Sequence, residues 1–90
     1  MNHQWWLTFA DPEVPGGEGF LGVAIVVAED FTSAIDEAWR LQVNPGGELI
    51  GVPLPLDTIP RGWLGRLLSR EDVEVMEAEQ ALIVNPGMLA

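Results

Sequence analysis

Apolar and polar residues alternate from Gln4 to Phe9, which predicts a strand with Trp5, Leu7 and Phe9 on one side and Gln4, Trp6 and Thr8 on the other. A tryptophan on the second side means that this side is covered in part too. The stretch Ala10 to Gly19, with its prolines, glycines and acids, reads as a loop. Phe20 to Ala28 then runs almost continuously apolar and rich in Val and Ile, as a buried strand does. Within it Gly22 marks a bulge or a close backbone approach. The two strands are expected to form an antiparallel hairpin with a long acidic tip.

The period then changes. Behind Asp30, a suitable N-cap, Phe31, Ala34, Ile35, Ala38 and Trp39 fall on one helical face, opposite Thr32, Ser33, Asp36, Glu37 and Arg40. Asn44-Pro45-Gly46-Gly47 is read as the stop. From Leu49 to Leu56 the pattern predicts a third strand with Ile50, Val52, Leu54 and Leu56 on a common face. Pro53 and Pro55 carry no N–H, so this strand belongs at a sheet edge.

Beyond it, Trp63, Leu64, Leu67 and Leu68 outline a short apolar helical face, and Ser69 with Asp72 resembles a capping pair that starts a second helical segment. Together these elements predict an α+β fold. It is a small β-β-α-β sheet with one long helix packed on a face, followed by a short C-terminal helical region. Ile83 and Val84 are available for a short fourth strand, and the whole chain, 1–90, is expected to be one domain with residues 84–90 as a frayed tail. The pattern leaves open whether the third strand pairs with the first or the second. A second Val-Asn-Pro-Gly at 84–87 echoes the first at 43–46 and reads as a duplicated helix stop rather than an internal repeat.

Composition sharpens this in three ways. The four tryptophans, Trp5, Trp6, Trp39 and Trp63, are large enough to supply much of a small core. There are no cysteines, which removes disulfides and thiolate metal sites. Fourteen acids against four arginines, with no lysine, give a formal charge of −10. Such a field repels phosphate backbones, so nucleic acid is not an expected partner, whereas basic protein surfaces are attracted. No apolar run approaches the length of a membrane span, and Met1 to Gln4 lack the basic start of a secretory signal, so the expectation is a cytoplasmic chain of a bacterium or an infected cell.

Catalytic chemistry finds little to work with. The one histidine, His3, stands at the chain start, where fraying is expected, and Cys, Lys and Tyr are absent. Ser33 and Ser69 have no evident base. No enzyme activity and no cofactor are expected. Asp11, Glu13 and Glu18 share a glycine-containing loop, but their spacing does not match a calcium-binding loop, and no metal site is assigned. Two binding surfaces remain. One is acidic, made of Asp11, Glu13, Asp36 and Glu37, with Trp6 as an aromatic anchor. The other gathers Arg61, Arg66 and Arg70 beside Trp63, a set able to clamp a nucleotide or other small anion by charge and stacking, or simply to balance the acids of residues 71–79. The edge strand is a third contact, blunted by its prolines, and a homo-oligomer is compatible with the paired tryptophans.

The phrases Trp5-Trp6-Leu7-Thr8-Phe9-Ala10-Asp11, Phe20-Leu21-Gly22-Val23-Ala24 and Asn44-Pro45-Gly46-Gly47-Glu48 resemble a family of short uncharacterised proteins from bacteria and their phages. The resemblance covers the first fifty residues and part of 60–72. It implies a phage or mobile-element origin and gives no residue a role. The expected function is a small non-catalytic binding or inhibitor module that presents an acidic surface to a basic partner. The alternative is an anti-defence protein that sequesters a nucleotide or similar anion.

Overall fold

The computed structural model describes residues 1–14 and 19–84. Strands β1 (His3–Ala10) and β2 (Phe20–Ala28) pair antiparallel, from His3 opposite Ala28 to Phe9 opposite Gly22. Ala10 then faces Phe20, so Leu21 is extra and the hairpin carries a bulge at that end. Strand β3 (Glu48–Leu54) pairs antiparallel with the other side of β1, with Gln4 opposite Leu54 and Ala10 opposite Glu48. It therefore runs parallel to β2, two places away. The short β4 (Leu67–Leu68) pairs antiparallel with the outer side of β2, which gives the order β3-β1-β2-β4. The architecture is α+β, with two helices, α1 (Phe31–Arg40) and α2 (Arg70–Val84).

The pleat sorts the apolar residues into two cores, one on each side of the sheet. On the first side Leu7, Phe9, Ala24, Val26 and Ala28 pack under Ala34 and Ala38 of α1 and under Val43. The small alanines let the helix approach closely. Trp5 seals this side: its ring lies 5.9 Å from that of Phe31, and its Nε1–H donates to Ala28 O at 3.1 Å. On the second side Val23, Ile25 and Leu68 pack against Ile59 and against Met76 of α2, with Trp6, Leu54, Trp63 and Leu64 at the margin. Phe9, Leu7, Ile25, Leu68 and Met76 are among the largest fully buried side chains, each contributing about 1.5–3 kcal/mol by leaving water.

Several sequence expectations need correction. The tryptophans are not the centre of the core: Trp39 is 58% exposed, and Trp5, Trp6 and Trp63 are half-buried. Rings this large fit the margin of a thin two-sided core better than its middle. Helix α1 stops before Asn44. Gln42 takes the left-handed conformation (φ 61°) and Val43 N–H donates to Ala38 O at 3.0 Å, so the chain closes the helix with Gln42 in the place where glycine is usual. Burial of Val43 holds that turn, and Asn44 instead caps its own turn by accepting from Gly46 N–H at 2.8 Å.

The predicted helix over 63–68 is not formed either. A single 3-10 turn spans Arg61–Trp63, and Gly65 (φ 69°) then breaks the helical path and donates its N–H to Ile25 O at 2.9 Å, which leads the chain into β4. The fourth strand is thus Leu67–Leu68, whereas Ile83 and Val84 belong to α2. At 15 residues α2 is longer than α1 at 10. Ser69 and Asp72 start it reciprocally: Asp72 Oδ2 accepts from Ser69 N–H at 3.0 Å and Ser69 Oγ accepts from Asp72 N–H at 3.1 Å. The expected frayed tail, apart from Val84, and the centre of the acidic hairpin tip lie outside the described residues.

Candidate functional site

Helix α1 covers the first side of the sheet out to β3, because Gly51 leaves room for a ring. A Cβ on Gly51 would stand 2.4 Å from Phe31 Cε1. The second side is covered less far. Ile50 and Val52, which share that side with Trp6, are 68% and 48% exposed, and Leu54 is where the cover begins. The common face of Ile50, Val52, Leu54 and Leu56 is therefore open over half of β3. The prolines gave the available signal: an edge strand is also where a small layer of covering residues runs out.

Between the first residues of the chain, Met1 to His3, and the segment Pro53 to Leu56 lies a cavity of about 550 Å³. His3 lines it and is not frayed: it opens β1 opposite Ala28, with its ring edge-on to Trp5 at 6.4 Å. Its buried Nδ1 has no hydrogen-bond partner among the described residues. The neighbouring Gln4 is buried, donating from Nε2 to Ile59 O at 3.0 Å and accepting at Oε1 from Ile59 N–H at 2.7 Å. This reciprocal pair fastens the 55–60 segment to β1. The alternation puts Gln4 on the second side but carries no sign of this task, since nothing local marks a partner 55 residues away.

The five residues of the expected acidic surface do not form one patch. Asp36 and Glu37 lie on α1, and Arg40 pairs with Glu37. Trp6 sits half-buried on the opposite side of the sheet, against the second core. Asp11 and Glu13 follow the end of β1, where Asp11 Oδ1 accepts from Glu13 N–H at 2.9 Å and Asp11 N–H donates to Gly19 O at 2.7 Å. The pairing of Ala10 with Glu48 brings a third carboxylate to that end of the sheet.

The arginine segment is drawn together more closely. Arg66 lies over the Trp63 ring at 5.6 Å and donates from Nη1 to Gly62 O at 3.1 Å. Arg70 lies over Phe20 at 5.3 Å, and Arg61 is exposed on the 3-10 turn. One face of Trp63 thus already carries a guanidinium. Two carboxylates are shifted. Hydrogen bonding from Ser33 at the start of α1 holds Asp30 below its ordinary pKa, and Ser69 does the same for Asp72, with a smaller contribution from Arg66. Both are helix caps rather than acid–base groups.

Among the described residues no group of three or more His, Asp or Glu side chains is placed to hold a metal ion, and no helix is long and apolar enough to cross a membrane. Comparison with protein-family models, curated proteins and solved structures finds no match for the chain.

Proposed function

We propose that this protein is a non-catalytic protein-binding module, of the kind that inhibits or sequesters, and that its acidic surface draws in a basic partner. The observation that carries this reading is the distribution of charge over the fold. Acids stand exposed on both helices, which lie on opposite sides of the sheet: Asp36 on α1, and Glu71, Glu74, Glu77 and Glu79 on α2. Asp11, Glu13 and Glu48 gather at one end of the sheet. With a formal charge of −10 the chain as a whole carries a negative field, which accelerates encounter with a positively charged protein and discourages acidic ones. Sequestration of a nucleotide has less support, because Arg66 already stacks over one face of Trp63.

The test is the salt dependence of the complex with a partner captured on the immobilised chain from its host's lysate. Affinity should fall by about tenfold or more between roughly 50 and 300 mM NaCl. An affinity that does not change over that range would end the acidic-surface reading.

A further inference from the structure

We infer that the outer edge of β3 is the docking site for an extended segment of the partner, one with basic residues at one end and a bulky apolar residue at the other. The inference rests on the basic-partner reading above and names where that partner is held.

Ile25 accepts from Gly65 N–H on the β4 side, so its peptide groups face away from β1. Its partner Trp6 consequently directs its own N–H and C=O toward β3, and Val52 opposite returns them. Alternation then places the N–H and C=O of Leu49 and Gly51 on the outer edge, together with the C=O of Pro53. Pro53 meets no conflict there, because its missing donor is on the outward side. Donors at Leu49 and Gly51 with none at Pro53 confine strand addition to the first half of β3.

Side chains and charge then specify the segment. Ile50 and Val52 stand exposed beside that edge and meet the alternate side chains of an added strand. No charged residue lies between Glu48 and Asp57. At the start of the strip Glu48 stands at the same end of the sheet as Asp11 and Glu13, which suits lysine or arginine. Past its far end Pro53 to Leu56 form one wall of the 550 Å³ cavity and Met1 to His3 the other, so an aliphatic or aromatic side chain reaching over the end of β3 would enter it. β3 has 7 residues, about 23 Å of strand, so the basic and apolar ends of the segment are about six residues apart. A second copy of this chain fits less well, because it carries the same −10 charge and offers no basic residue in its own 49–56 strip.

The probe is a pair of synthetic peptides of about nine residues, each alternating valine and threonine, with two lysines at one end and a leucine at the other, in the two opposite chain directions. They are titrated into the ¹⁵N-labelled chain. One of them should bind and shift the amides of Leu49 and Gly51, and replacing its lysines by glutamate should weaken it about tenfold. Glu48→Lys should recover binding of the glutamate peptide. Ile50→Lys and, independently, Val52→Lys should abolish binding of the lysine peptide while the rest of the amide spectrum stays folded. If neither peptide at about 1 mM moves Leu49 or Gly51, the inference is overturned. With the natural partner, salt-sensitive binding that ignores Ile50→Lys would overturn the edge and leave the basic-partner reading standing. Salt-insensitive binding lost in Ile50→Lys would overturn that reading and the charge pattern claimed for the segment.

Discussion

Gln4 is 3% exposed, and both ends of its amide are committed to the backbone of Ile59. Replacing it by a methionine of similar length leaves a buried N–H and a buried C=O unsatisfied. Gln4→Met should therefore cost about 2–4 kcal/mol, read from the urea midpoint, and a loss below about 0.5 kcal/mol would show that the 55–60 segment is not fastened there. Asp30 makes a different statement, about pH. Hydrogen bonds from Ser33 hold its folded pKa below the ordinary 3.8, so the cap stabilises the ionised form. The stabilisation is fully present above 3.8 and is lost as pH falls through the lowered folded value. Asp30→Ala should be less stable than the parent at pH 7 by thermal melting, and the gap should close toward pH 2. A gap unchanged at low pH would assign the effect to something other than the carboxylate.

At the scale of elements, the contact between α1 and β3 depends on a missing side chain. A Cβ at Gly51 would stand 2.4 Å from Cε1 and 2.6 Å from Cδ1 of Phe31, whose ring in turn rests on Trp5. Gly51→Ala should destabilise by about 1–3 kcal/mol, and a Phe31→Ala background should remove most of that cost. Additive effects in a double-mutant cycle would mean that the ring does not sit over Gly51. The first three strands and α1 were legible because β1, β3 and α1 each keep one period, β2 is a continuous apolar run rich in Val and Ile, and strong signals mark them: Asp30 before the helix, prolines in the edge strand. The region from Trp63 to Leu68 was not, because Trp63, Leu64, Leu67 and Leu68 fit a helical period by accident of spacing. Gly65 in the left-handed region overrides that period, and the long-range bond to Ile25 that rewards it has no local trace.

Over the whole molecule, charge is the property that sequence conveyed most directly, since it needs no contacts to be counted. Its placement was less accessible. Trp6 and the acids of α1 looked like one surface along the chain and lie on opposite sides of the sheet. The charge itself has a consequence for stability: at −10 the folded chain repels itself, so raising NaCl from about 20 to 300 mM should raise the melting temperature by a few degrees. A fall over that range would mean that attractive pairs dominate. Among the described residues β3 presents an open, ordered edge. Amide hydrogen exchange of the free chain tests it residue by residue. Ile50 and Val52, bonded inward to β1, should be protected, while Leu49 and Gly51 should exchange at nearly the rate of an open chain. Protection of Leu49 and Gly51 in the free protein would contradict it, because the edge would then already be covered, by a second copy or by another part of this chain.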